Sequence, residues 1–223
     1  MLLFVDRYDA GKRLASALMQ FKNTDAVIMA IPRGGVVVGY EVAKALNLEM
    51  DLVIPKKIRA EGSNETAIGA VMEDGSYYID ELAVAQTHSR RDYIENEIKE
   101  EMQEVKRREE LYLDGRKRVD VFGRDVIIVD DGIASGYDMI AAERFIRGKN
   151  PTRIIIAVPV APSKAVGKLN IDVDNIICLM NSDMFSSISE LYLDFTPVED
   201  EEVLSLLNEL WNRKWETHNA KPR

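Results

Sequence analysis

Residues 126–139 read Val-Ile-Ile-Val-Asp-Asp-Gly-Ile-Ala-Ser-Gly-Tyr-Asp-Met, and the chemistry of the stretch sits in Asp130 and Asp131. Two adjacent carboxylates can hold sugar hydroxyls or a hydrated magnesium ion. Gly132 and Gly136 bracket a short turn, and Ile140, Ala141, Phe145 and Ile146 follow at helical spacing. A helix that starts at such a turn offers unpaired backbone N–H groups, and the positive end of its dipole, to a phosphate. Acids suited to hydroxyls next to amides suited to a phosphate point to a phosphorylated sugar.

These groups need a frame. Val126 to Val129 have no polar alternation, so they read as a strand buried on both faces, with the acidic pair at its C-terminal end. In an open α/β sheet, ligands bind at that end of the strands. A second unit of the same kind lies upstream: Ala26 to Ile31 as strand, Pro32-Arg33-Gly34-Gly35 as turn, and Val36 to Leu46 as helix. Its glycine order is not that of the dinucleotide fingerprint. Further strands are expected at Asp51–Pro55, Arg153–Pro159 and Asn175–Met180, with helices at Ser163–Leu169 and within residues 1–24, where Leu14, Ala15, Leu18, Met19 and Phe21 make one apolar face and Asp9 is the expected N-cap. Gly148 and Pro151 end the helix after the central strand, with Gly148 as the C′ residue. The repeated alternation predicts a doubly wound, mainly parallel sheet.

Between these units, Ala67–Met72 and Ser76–Ile79 read as short strands joined by a turn at Glu73-Asp74-Gly75. Residues 88–112 read as one long helix with a narrow stripe of Ile94, Ile98, Met102, Val105 and Tyr112. The Lys106-Arg107-Arg108 run is surrounded by Glu104, Glu109 and Glu110, so a salt-laced solvent face accounts for it. A net charge of −9 likewise argues against nucleic-acid binding, which needs a basic surface. The longest apolar run is too short to span a bilayer, no signal peptide is evident, and the lone Cys178 reads as a buried inert thiol. A cytoplasmic location is expected. Neither His88 nor His218 has partners at metal-ligand spacing.

The run Asp130-Asp131-Gly132-Ile133-Ala134-Ser135-Gly136 resembles the phosphoribosyl-pyrophosphate signature of type I phosphoribosyltransferases, and Pro32-Arg33-Gly34-Gly35 resembles their pyrophosphate loop. Asp6-Arg7-x-x-Ala10-Gly11, residues 65–71 and residues 191–195 are similar to a bacterial and archaeal branch of that family. The resemblance implies the family fold: a core over 1–180 with an insertion at about 60–120 that includes the long helix, and a small C-terminal hood at 181–223. It implies transfer of the phosphoribosyl group from phosphoribosyl pyrophosphate to a nitrogen nucleophile, a nucleobase or another small amine, with Mg2+ and in a homodimer.

Asp130 and Asp131 would then bind the ribose, and magnesium indirectly. Ala134, Ser135, Gly136, Tyr137 and Asp138 would hold the 5′-phosphate; Arg33, Gly34, Gly35 and Lys57 would hold the pyrophosphate. Arg33, Lys57 and Asp131 would be the catalytic groups. Residues 60–66 fall where the family has a mobile loop that closes over the site. A phosphoribosyl-pyrophosphate-binding regulator without catalysis is the alternative. A receiver-domain reading of Ile127–Asp131 fails for want of a later aspartate after Val158-Pro159.

Two positions depart from the family pattern. Ala134 stands where the enzymes for 6-oxopurines carry an aspartate, which predicts that adenine, a pyrimidine or another amine outperforms hypoxanthine. Asp138 stands where a threonine or serine is usual. A carboxylate about 4 Å from a phosphate charge costs roughly 4 kcal/mol at an effective dielectric near 20. So Asp138 either caps the helix and points away, or weakens phosphate binding.

Overall fold

The computed structural model describes residues 3–169, 173–185 and 187–219. In chain order its elements are helix α1 (Arg7–Ala17), strand β1 (Val27–Ala30), helix α2 (Gly34–Leu46), strands β2 (Glu49–Leu52), β3 (Lys56–Arg59), β4 (Ala67–Val71) and β5 (Tyr77–Ile79), and helices α3 (Glu81–Thr87) and α4 (Arg91–Leu113). Strand β6 (Asp125–Val129), helix α5 (Tyr137–Arg147), strand β7 (Arg153–Ala161), helix α6 (Ser163–Leu169), strand β8 (Asn175–Asn181) and helix α7 (Asp200–Asn219) complete them.

Five strands form one parallel sheet in the order β2-β1-β6-β7-β8. Val27 to Ala30 pair with Val126 to Val129, so β1 and β6 end level with each other. Their side chains alternate between two cores. Ile28, Ile127 and Ile155 pack with α1, α2 and the Val203–Leu207 part of α7, while Val126, Ile128, Ile154 and Ile156 pack with α5 and α6. With both faces covered, β1, β6 and β7 carry no polar residue beyond their first positions, which is why they read as apolar runs.

The chain leaves β1 towards β2 on one side and returns to β6 on the other. The order therefore reverses between β1 and β6, and the crevice at a topological switch point is where such sheets take ligands. Both glycine turns open into it.

A second, antiparallel sheet, β3-β4-β5, covers part of that edge. Ile58, Ile68 and Val71 form its small core against Ile94, Ile98 and Met102 of α4, the predicted stripe. Several expectations need correction. Asp51–Pro55 is a strand only as far as Leu52, and the basic cluster Lys56–Arg59 is itself β3. The long helix expected at 88–112 is present as α4, starting at Arg91 and running to Leu113, whereas α3 before it, which ends where His88 turns left-handed (φ 54°), was not expected. The cap of α1 is Asp6, whose side chain accepts from the Asp9 N–H, rather than Asp9. Gly148 does end α5, but in a right-handed conformation; the left-handed residue is Asn150.

Strand β7 runs through Pro159 to Ala161. Its pairing with β6 has already ended at Ala157, so the proline interrupts no ladder on that side. Cys178 is half-buried rather than buried, and its thiol donates to the Met180 carbonyl at 3.2 Å. No helix among the described residues is long and apolar enough to cross a membrane. The polar end of the sequence, from roughly Glu216, reads as frayed; α7 extends to Asn219, and residues 220–223 lie outside the described residues.

Candidate active site

The first turn follows β1, where the Pro32–Arg33 peptide is cis and α2 begins at Gly34. Its glycines press on the acidic pair of the neighbouring crossover. A Cβ on Gly34 would stand 1.9 Å from Asp131 Oδ2, and one on Gly35 would stand 2.8 Å from Asp130 Cα. Only residues without a side chain fit between these loops. Two turns about a hundred residues apart in sequence thus meet as one site, with Arg33 and Asp131 on the same side of the molecule.

Asp130 Oδ1 accepts from the Asp131 N–H at 2.8 Å. Burial, then the charge of Asp131, pushes the Asp130 carboxyl well above the usual carboxylate range. Asp131 has a cation of its own: Arg7, in the first turn of α1, donates from Nε to Oδ2 at 2.7 Å. Arg7 also donates from Nη1 to the Thr196 carbonyl at 2.8 Å, and its guanidinium lies 3.8 Å from the centre of the Phe195 ring. Tyr192 donates its hydroxyl to the Asp131 carbonyl at 2.7 Å. The acidic pair is therefore held from three sides.

Lys57 enters from β3, with Nζ 3.4 Å from Asp138 Oδ2. The charge of Asp138 raises the Lys57 pKa against desolvation, with Asp130 and Asp131 adding to it. Burial raises that of Asp138, and Lys57 opposes this. Ser135 Oγ and Asp138 Oδ1 are enclosed and have no hydrogen-bond partner.

These groups line a cavity of about 540 Å³ that includes Arg7, Lys57, Asp130, Asp131, Gly132–Gly136 and Asp138, with Phe185, Ile188 and Phe195 as apolar lining. Its size suits a small-molecule ligand. Three carboxylates face two cations there, so a polyanionic ligand needs further positive charge. Among the described residues no cluster of three or more metal-ligating side chains exists. The donor set instead is a pair of hard carboxylate oxygens, one of them disfavoured as an anion by its surroundings. That set suits a magnesium ion whose remaining ligands come from water and a substrate's oxygens.

Two predicted site residues do not reach the cavity with their side chains. The Arg33 guanidinium turns to Glu199 (3.2 Å) and Asp200 (3.8 Å) at the start of α7, drawn by two acids. Tyr137 is buried, and donates its hydroxyl to Asp80 at 2.8 Å beside Lys168. Gly35 supports Asp130 from behind. Asp138 lines the cavity, so it is not a helix cap pointing away; the N-cap is Gly136. Arg7 had no role assigned from sequence, and Phe185, Ile188, Tyr192 and Phe195 had none beyond their place in the C-terminal hood segment. Asp6-Arg7 and residues 191–195 stood out there only as stretches similar to other chains.

A family model described as a phosphoribosyl transferase domain matches residues 6–196. Two curated proteins of Mycobacterium tuberculosis, strains CDC 1551 and H37Rv, bear provisional phosphoribosyl transferase names. Each is 35% identical over 208 residues, which is 93% of this chain and 47% of theirs. The chain thus spans about half the length of these relatives. The crystal structure of TT1426 from Thermus thermophilus is 37% identical with a TM-score of 0.77, over 93% of this chain and 99% of that one. A Neisseria gonorrhoeae protein solved with bound ppGpp shares the fold at 15% identity and a TM-score of 0.50, over 91% of this chain and 92% of its own.

Proposed function

The chain belongs to the phosphoribosyl transferase family, and from that premise we propose that it moves the 5-phosphoribosyl group of phosphoribosyl pyrophosphate to a nitrogen nucleophile, with release of pyrophosphate. The acceptor is a nucleobase or another small amine. The observation that carries this reading is the contact of Gly34 and Gly35 with Asp131 and Asp130 across the switch point. It brings a loop like the pyrophosphate loop against an acidic pair like the one that binds the ribose.

In this reading Asp130 and Asp131 receive the ribose hydroxyls, and residues 134–138 receive the 5′-phosphate. The backbone at Gly34 and the charge of Lys57 meet the pyrophosphate. Displacement at C1 passes through a cation-like sugar, so the protein has mainly to position both partners and stabilise the departing charge. Arg7 pairs with Asp131 and orients it, and Tyr192 fixes the backbone behind it. Arg33 joins the leaving group only by giving up Glu199. Magnesium, when bound beside Asp130 and Asp131, supplies positive charge to the pyrophosphate oxygens. The apolar wall of Phe185, Ile188 and Phe195, in the hood segment, offers a face for a planar acceptor. Ala134 gives that acceptor no carboxylate, which favours adenine, a pyrimidine or another amine over hypoxanthine.

A second reading, a regulator that binds phosphoribosyl pyrophosphate without turnover, draws support from Asp138, which occupies the cation Lys57. Pyrophosphate release across a panel of bases and amines, with magnesium and phosphoribosyl pyrophosphate, separates the two. Release with at least one acceptor supports the transferase. Tight binding with no release from any acceptor supports the regulator, and a preference for hypoxanthine or guanine contradicts the acceptor class.

A further inference from the structure

The turn before α5 and the first turn of that helix hold two enclosed polar atoms with no partner, Ser135 Oγ and Asp138 Oδ1, on residues that line one cavity. Such atoms are costly unless a ligand meets them. Their chemistry differs. The serine hydroxyl can give a hydrogen to a phosphate oxygen, but an ionised Asp138 can only accept, and so can a phosphate dianion.

Resting on the reading of residues 134–138 as the 5′-phosphate site, we propose that this loop binds a sugar phosphate only together with one proton, shared between a phosphate oxygen and Asp138 Oδ1. Asp138 is then the residue that makes substrate affinity depend on pH and that selects a phosphate monoanion.

Magnitudes decide for the proton. Two anions about 4 Å apart at an effective dielectric near 20 cost about a thousandfold in affinity. A phosphate ester with a second pKa of about 6 is already about one-tenth protonated at neutral pH, so recruiting the monoanion costs about tenfold. Proton uptake is favoured by about a hundredfold.

The surroundings agree. Lys57 on β3 faces the other carboxylate oxygen, Oδ2, at 3.4 Å. Lys56 and Arg59 on the same strand add positive charge, and Asp130, at the end of β6, adds negative charge. The other elements against α5 bring little: β4 has no charged residue, β5 brings Tyr77 and Tyr78, and Arg153 of β7 and Asp125 of β6 pair with each other at the far ends of their strands. From α6, Lys168 pairs with Asp80. Burial raises the Asp138 pKa, which favours the neutral form.

The test is calorimetry of the full chain with ribose 5-phosphate, without magnesium, in buffers of different protonation heat. The expected result at pH 7 is uptake of about 0.9 proton per site, and affinity that falls about tenfold for each pH unit above that. Asp138→Asn, whose amide can donate, is expected to bring uptake close to zero and to strengthen binding at pH 8 by about tenfold or more. Asp138→Thr serves the same purpose if the first variant does not fold, and either one separates Asp138 from any proton taken up by Asp130. Wild-type binding at pH 7 without proton uptake overturns the inference and leaves the proposed function standing. No binding of ribose 5-phosphate at any pH between 5.5 and 8.5, in wild type or variant, overturns both.

Discussion

The two crossovers at the switch point share a recipe of buried strand, glycine turn and helix, yet they are in opposite conditions. The turn after β1 is closed: its glycines lie against Asp130 and Asp131, and Arg33 is engaged by Glu199 and Asp200. The turn after β6 is open. Ala134 is exposed, and Ser135 and Asp138 keep atoms without partners. One turn braces the acidic pair and the other waits for a ligand. Local sequence makes both turns, but what each can do depends on what packs against it.

The bracing is most sharply broken at Arg7. Its pair with Asp131 is largely shielded, with side-chain exposures of 10% and 15%. Removing one partner of a buried pair is expected to cost about 3 kcal/mol in stability for Arg7→Ala, read by urea unfolding, with a matching loss of pyrophosphate release. Arg7→Lys keeps the charge but not the contacts to Thr196 and Phe195, and is expected to fall in between.

Gly34→Ala comes next. Its new methyl group meets the Asp131 carboxylate and the Arg7 guanidinium, and overpacking there is expected to cost about 2 kcal/mol. Gly132→Ala is the contrast within the open turn. Its methyl group would come nearest to the Ile188 side chain, at 2.7 Å, with no charged group among its three nearest atoms, so a smaller cost of about 1 kcal/mol is expected. Equal costs for the two would erase the distinction between bracing and receiving turns.

The smallest effect tests whether the closed turn can be opened. The Arg33–Glu199 pair is exposed, with Glu199 at 68%, and exposed pairs contribute at most about 1 kcal/mol. Glu199→Gln is therefore expected to leave stability unchanged within that margin and to tighten pyrophosphate binding by about two- to fivefold, as Arg33 is left with Asp200 alone at 3.8 Å. Unaltered pyrophosphate affinity would mean that Arg33 plays no part in holding the leaving group.

The contrast also explains what could be read from the chain alone. The strands β1, β6 and β7 were legible because burial on both faces demands unbroken apolar runs, and the glycine turns because close approach excludes side chains. Strand β3 was not, since in Lys56-Lys57-Ile58-Arg59 only Ile58 is buried and the charges mask the strand. Helix α3 was not legible either, since none of its seven residues is buried and no apolar stripe announces it. The role of Arg7 depends on Asp131, 124 positions away, and on Thr196, 189 positions away. The Arg33 engagement likewise spans 166 positions. No local pattern reports such contacts, so the site's scaffold was legible and its charge arrangement was not.

A crystal structure of the chain soaked with ribose 5-phosphate and magnesium tests the shared cavity most directly. The sugar hydroxyls are expected on Asp130 and Asp131, and the phosphate on residues 134–138. A ligand seated elsewhere, such as the hollow beside Trp211 between α2 and α7, would contradict the account.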